Sequence, residues 1–238
     1  MDQSIAPLLY QISIWALPVI FAVTLHEAAH GYAARLFGDD TAWREGRVSL
    51  NPAKHIDPIG TVLLPGLLLL FQLPMVLQGQ SPLLFGFAKP VPVNFRALRN
   101  PRRDMVWVAA AGPAMNILLA IISALLLHIS GYFPAFLGSW VTANLQNALL
   151  INAVLAVFNM LPIPPLDGGR VAVGILPDFL ARPLAQLERY GILIILGLLF
   201  IPPWLGDRLG MDIDILSWVI MKGASAVLWA VSLLTGHM

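Results

Sequence analysis

Long apolar segments constrain the fold of this chain more than any other feature of its sequence. Of the 238 residues, 58% are hydrophobic and 11% are charged, whereas soluble domains carry roughly 25% charged residues. About 20 apolar residues in a helix span the hydrocarbon layer of a membrane. We therefore predict an all-α polytopic membrane protein with about five to six transmembrane helices. The apolar segments are 8–37, 105–129, 144–161, 190–201 and 215–234.

The arrangement of these segments predicts a single integral-membrane domain over residues 1–238. Its core is expected at about 8–175, with extra C-terminal helices at about 188–235. The sequence between the segments predicts an uncharged loop at 131–143 and a Pro- and Gly-rich loop at 162–189.

Basic residues predict how the chain is oriented in the membrane. Twelve of the 14 Lys and Arg lie at 35–54, 89–103 and 170–189. Cytoplasmic loops are rich in Lys and Arg, so we expect these three regions in the cytoplasm and residues 131–143 outside. The apolar segment 59–87 then joins two cytoplasmic loops. We favour a short membrane-associated β or re-entrant region there over a full crossing, because Pro and Gly interrupt it.

A histidine pair in the first apolar segment indicates a metal site. His26 and His30 are four residues apart on a predicted helix, so both imidazoles leave the same face. Glu27 completes an H-E-x-x-H pattern, in which two His bind one zinc ion and the Glu is the general base. Ionisable groups are costly within a membrane and usually serve a function there. The pattern predicts a zinc site near the cytoplasmic end of the helix.

A catalytic zinc ion usually has three protein ligands and one open position. The chain has no cysteine, so the third ligand must be His, Asp or Glu. Asp167 is favoured because it closely follows an apolar segment, and Gly168 and Gly169 allow the backbone to pass close to the site. His55 and Asp57 lie on the same side in a polar loop, and they remain alternatives.

Together these motifs resemble the site-2 protease family of intramembrane zinc metalloproteases. The resemblance is carried by His26-Glu27-Ala28-Ala29-His30 and by the segment from Asn159 to Gly169, with support from Gly112-Pro113, Asn116 and Lys89 to Val93. It implies a compact member without a PDZ or CBS domain. It also implies that His26, His30 and Asp167 bind zinc, that Glu27 is catalytic, and that Asn159 holds substrate or the oxyanion. Asn116 is expected either to pack the core helix or to contact substrate.

The function that these observations predict is hydrolysis of peptide bonds in or next to transmembrane segments of membrane-protein substrates. We expect a multi-pass protein of a bacterial-type inner membrane, with its active site towards the cytoplasm. The net charge of +1 gives no reason to expect nucleic acid as a partner. An inactive relative that binds membrane proteins would be expected to lack a ligand or the base. A metal-ion transporter would be expected to have repeated halves. The sequence shows neither feature.

Overall fold

The structure is a computed structural model that describes residues 6–63, 66–68, 70–72, 89–211 and 213–237. In this part of the chain, five helices are long and apolar enough to cross a membrane. The protein is therefore a multi-pass membrane protein, and the predicted all-α class and number of spans are confirmed. Of the predicted β or re-entrant region at 59–87, residues 64–65, 69 and 73–87 lie outside the described part, and the described residues contain no strand.

Short helical turns lie between several of the α-helices, and a long segment separates Arg44 from Pro101. A π-helical turn lies at Pro58–Leu63, and 3₁₀ turns lie at Pro52–Lys54, Phe95–Ala97, Ser130–Tyr132 and Leu187–Tyr190. Residues 66–68 and 70–72 are also α-helical. The other α-helices of the described chain, numbered here in order, are α1 (Ala6–Leu36), α2 (Thr41–Arg44), α3 (Pro101–Leu127), α4 (Ala135–Asn159), α5 (Asp167–Ile175), α6 (Asp178–Gln186), α7 (Gly191–Leu209) and α8 (Ile215–Thr235).

Helix α3 is the centre of the bundle and packs against α1, α4, α5 and α8. Small side chains let the backbones approach closely, as is common between membrane helices. The buried alanines include Ala22 and Ala34 of α1, Ala120 of α3, and Ala153 of α4, each 0% exposed. His30 and His26 of α1 contact Val108 and Asn116 of α3, so these two helices are antiparallel. The start of α1 contacts Trp140 and Asn147 in the first half of α4, so the end of α1, the start of α3 and the end of α4 meet at one end of the bundle.

The segment between α1 and α3 begins and finishes at the same end of the helix bundle. The backbone N–H of Arg99 donates to the carbonyl of Phe37 at 3.0 Å, which joins the two ends of the segment. A single full crossing between α1 and α3 is therefore excluded. The predicted re-entrant hairpin is consistent with this closure, but its central residues 73–87 lie outside the described part of the chain.

Two predicted loops are largely helical. Helix α4 begins at Ala135, directly after Pro134, because the uncharged apolar sequence continues the helix well before residue 144. The region 162–189 contains α5 and α6. Its Pro and Gly residues predicted irregular backbone, but Pro177 precedes α6 as its N-cap, a position where proline does not interrupt a helix.

Candidate metal centre

Three buried side chains converge at the end of the bundle where α1, α3 and α5 meet. Nε2 of His30 lies 3.1 Å from Nε2 of His26. Oδ2 of Asp167 lies 3.2 Å from His26 Nε2 and 3.3 Å from His30 Nε2. Each of the three residues is less than a tenth exposed. The structure thus brings together the three residues that the resemblance implies as ligands.

Local backbone geometry places Asp167 opposite the two histidines. His26 and His30 are one turn apart on α1, whereas Asp167 begins α5 after a loop that folds back from the end of α4. A Cβ on Gly168 would lie 2.2 Å from the carbonyl oxygen of Met160, and one on Gly169 would lie 2.5 Å from the nitrogen of Pro164. Only glycine permits this close return of the chain, which carries Asp167 to α1.

Hydrogen bonds behind the two imidazoles fix which nitrogen carries the proton. Nδ1 of His30 lies 2.7 Å from the carbonyl oxygen of Val108, which can only accept, so this nitrogen is the donor. Nδ1 of His26 donates to Oδ1 of Asn116 at 2.6 Å, while Nδ2 of Asn116 donates to Asn152 at 2.8 Å. In neutral rings both Nε2 atoms then carry lone pairs that face Asp167.

The arrangement fits a metal ion. Two lone pairs and a carboxylate oxygen would repel one another at these distances without a cation between them, and Oδ2 of Asp167 has no hydrogen-bond donor. Ligands about 2.1 Å from a tetrahedral zinc ion lie about 3.4 Å apart, close to the observed spacing.

Gly112 of α3 keeps space free beside the three ligands. A Cβ at this position would lie 2.4 Å from Nε2 of His30 and 2.6 Å from Nε2 of His26. Any larger residue would therefore push against the Nε2 atoms of both histidines. The glycine is part of the site although it offers no ligand.

Glu27 lies next to the first ligand on α1 and is half-buried. Its Oε2 accepts a hydrogen bond of 2.8 Å from the backbone N–H of Val91. Val91 belongs to the segment that precedes α3, so the backbone of a residue far away in the chain holds the Glu27 carboxylate.

The alternative ligands take other positions. His55 is buried, and its Nε2 contacts the carbonyl oxygen of Ser49 at 2.9 Å. Oδ1 of Asp57 accepts hydrogen bonds from the backbone N–H groups of Ile59 and Gly60. Asp57 thus caps the turn that follows it. Within the described chain, neither residue joins the metal-binding group.

The two asparagines differ in their relation to the site. Asn116 is 0% exposed and lies behind His26, where it packs in the core. Asn159 is the last residue of α4, and its side-chain amide donates to the carbonyl of Leu155 at 3.0 Å. In the part of the chain described, no hydrogen bond links Asn159 to the three ligands. Its predicted contact with substrate stays a prediction.

Sequence reasoning missed two contributors to the site and the role of a third, Gly112, which it singled out only as part of the resemblance. The carbonyl of Val108 and the side chain of Asn152 orient the ligands, and Gly112 reserves space. A backbone carbonyl carries no signal in a sequence. Asn152 stands out only as a polar residue in an apolar segment, which is a signal that a search for polar groups within predicted spans would have found.

Comparison with known proteins identifies the family. The model of the family described as "Peptidase family M50" matches residues 82–202, which contain Asn116, Asn159 and Asp167. The protein named "Putative zinc metalloprotease YwhC" of Bacillus subtilis is 39% identical over 191 residues, covering 79% of this chain and 80% of that protein. The chain belongs to peptidase family M50. This membership confirms the predicted zinc-dependent metalloendopeptidase of the site-2 protease type, with zinc as its cofactor.

A second relative of the M50 chain comes from another bacterium. "Putative zinc metalloprotease Rip2" of Mycolicibacterium smegmatis is 32% identical over 206 residues, which cover 84% of this chain and 72% of that protein. No solved structure was found to match the chain.

Proposed function

We propose that this M50 peptidase hydrolyses peptide bonds in or next to transmembrane segments of membrane-protein substrates. In this proposal His26, His30 and Asp167 hold one zinc ion, and Glu27 is the general base. The observation that carries the proposal is the triangle of three donor atoms buried among helices that are themselves long and apolar enough to span a membrane. A peptidase centre in that position acts on chains that are also in the membrane.

The chemistry follows from the position of Glu27. When bound, zinc supplies a Lewis acid that polarises the scissile carbonyl and makes water easier to deprotonate. Glu27 takes a proton from the attacking water as the bond from oxygen to the carbonyl carbon forms. Its carboxyl then gives this proton to the leaving nitrogen as the C–N bond breaks. Water is consumed, and one new carboxyl and one new amine result.

The depth of the site indicates which part of a substrate is cut. His30 lies six residues before the end of α1, about 9 Å along the helix axis. A substrate helix hides its amides in hydrogen bonds, so a few residues near its end must unwind before they reach the ligands. We therefore expect cleavage near the end of the substrate helix on the same side as the site.

The same end of the bundle is proposed to face the cytoplasm of a bacterial cell. The basic regions 35–54 and 89–103 lie at this end, whereas the uncharged turn around Tyr132 lies at the other. The chain has no cysteine, so labelling of a single introduced cysteine shows which side of the membrane that position faces. In intact cells, an impermeant maleimide is expected to label Tyr132→Cys and not Lys54→Cys. The reverse pattern would contradict the orientation.

A defined reporter tests the proposed function. We suggest a single-span protein whose helix of about 20 apolar residues carries an Asn-Pro pair in its cytoplasmic half, with a fluorescent domain on the cytoplasmic side. Purified enzyme in liposomes is expected to release the fluorescent domain, and mass spectrometry is expected to map the cut within or next to the helix. Cuts only in the soluble domain would contradict an intramembrane peptidase. No cut despite bound zinc would favour an inactive relative.

A further inference from the structure

A buried arginine near the metal centre has no part in the mechanism above. Arg47 follows α2 and is 8% exposed. In the described chain its guanidinium forms no ion pair, unlike those of Arg44, Arg102 and Arg170. A buried cation without an anionic partner is unfavourable for folding. The position of Arg47 therefore needs a reason other than stability.

The guanidinium of Arg47 holds the backbone that leads to Glu27. Its Nη2 donates to the carbonyl oxygens of Lys89 at 2.7 Å and Pro90 at 3.3 Å. The next residue in the chain, Val91, donates its backbone N–H to Oε2 of Glu27 at 2.8 Å. Lys89 and Pro90 are thus bound to Arg47, and the next residue, Val91, is bound to the Glu27 carboxylate.

Packing against α1 holds the same two segments in place. Gly31 lies one turn beyond Glu27, and a Cβ there would lie 2.7 Å from a methyl of Val48 and 3.2 Å from a methyl of Val91. Val48 is the neighbour of Arg47, and Val91 is 7% exposed. The glycine therefore allows both segments to lie against the helix face that carries Glu27.

We propose that Arg47 is a positioning residue for the peptidase reaction. It acts through the backbone of residues 89–91, which keeps the N–H of Val91 on the Glu27 carboxylate and so fixes the position of that carboxylate. This inference rests on the proposed role of Glu27 as the base. Pro90 precedes Val91 and Pro92 follows it, which limits the conformations that the segment adopts once Arg47 holds it.

Kinetics of Arg47 variants test the inference. With the single-span reporter and the full chain in liposomes, Arg47→Ala is expected to lower kcat by about 10- to 100-fold, the loss caused by small misplacements in an active site. KM and zinc content are expected to stay at wild-type values, which a general loss of structure would not leave unchanged. Arg47→Lys also donates to the two carbonyls and is expected to recover most of kcat. The matched control is Arg44→Ala, which removes an exposed arginine paired with Asp40.

A second pair of variants tests the link itself. Val91→Pro removes the backbone N–H that donates a hydrogen bond to Glu27, whereas Val91→Ala keeps this N–H. Val91→Pro is expected to lose as much kcat as Arg47→Ala, and the double variant is expected to lose no more than either, because both break one link. If Arg47→Ala does not fold, as judged by melting and zinc content, Arg47→Gln replaces it in both comparisons, because its shorter side chain stays polar but lacks the guanidinium.

Two kinds of result would overturn the inference, and they are distinguishable. If wild type cleaves, Glu27→Gln does not, and Arg47→Ala and Val91→Pro both keep wild-type kcat, only the positioning role is wrong. Losses of kcat that multiply in the double variant would also contradict it. If Glu27→Gln cleaves normally, the proposed function fails first and the role of Arg47 fails with it.

Discussion

Nδ1 of His26 donates a hydrogen bond to Oδ1 of Asn116 over 2.6 Å, and this contact joins the metal centre to the middle of the helix bundle. Asn116 in turn donates to Asn152, so one amide connects α1, α3 and α4. The orientation of His26, a proposed metal ligand, thus depends on packing between helices. Such partners of ligating histidines fix the ring and its protonated nitrogen.

Replacing Asn116 is expected to weaken zinc binding although it is not a ligand. Asn116→Ala removes the acceptor for His26 and is expected to lower zinc affinity about 10- to 100-fold, while Asn116→Asp keeps an acceptor and should lose less. Titration with a zinc chelator measures the affinity. The control is Asn147→Ala, which removes an amide that bonds to Ile14 near the other end of α1. Unchanged affinity in Asn116→Ala would show that the contact is incidental.

A methyl group at Gly112 is expected to block the site. In Gly112→Ala the added carbon would lie 2.4 Å from Nε2 of His30, so zinc content and cleavage are both expected to be lost. The matched control is Gly197→Ala in α7, where the added carbon would meet its nearest neighbour, Ile201, at an ordinary 3.7 Å. Zinc analysis of both purified variants is the measurement. A Gly112→Ala enzyme with full zinc would contradict the donor geometry.

Zinc content also separates the two candidate aspartates. Asp167→Ala removes one corner of the triangle and is expected to abolish stoichiometric zinc. Asp57→Ala is expected to keep zinc and to lose about 0.5–2 kcal/mol of stability, the usual effect of removing a helix cap, because Asp57 caps the turn at Ile59 and Gly60. Loss of metal with Asp57→Ala alone would overturn the ligand set.

Much of the fold and the site was predictable because the signals are local. Long apolar segments give the spans, and four-residue spacing places His26 and His30 on one face of a helix. Asp167 is harder to predict, since its approach to α1 depends on the close return of the chain at Gly168 and Gly169. The resemblance implied that contact, while reasoning from the residues left Asp57 and His55 as alternatives.

The errors and omissions have physical causes. The sequence predicts too late a start for α4, because Gly138, Ser139 and Thr142 interrupt the apolar residues 135–143 and a hydropathy pattern does not mark where a helix begins. Helices α5 and α6 were missed since Pro and Gly usually indicate irregular backbone. Arg47 looked like one more cytoplasmic basic residue, and only the structure shows that it is buried against Lys89 and Pro90. The division into a core at 8–175 and extra helices at 188–235 stays a prediction.

The measurement that tests the account most directly is reporter cleavage by Glu27→Gln, with zinc determined on the same sample. Glutamine keeps the size of the side chain but cannot take a proton from water, so we expect one zinc ion per chain and a loss of kcat of at least about 100-fold. Glu45→Gln, which changes an exposed glutamate, is expected to behave as wild type. Normal cleavage by zinc-bound Glu27→Gln would contradict the assignment of Glu27 as the base.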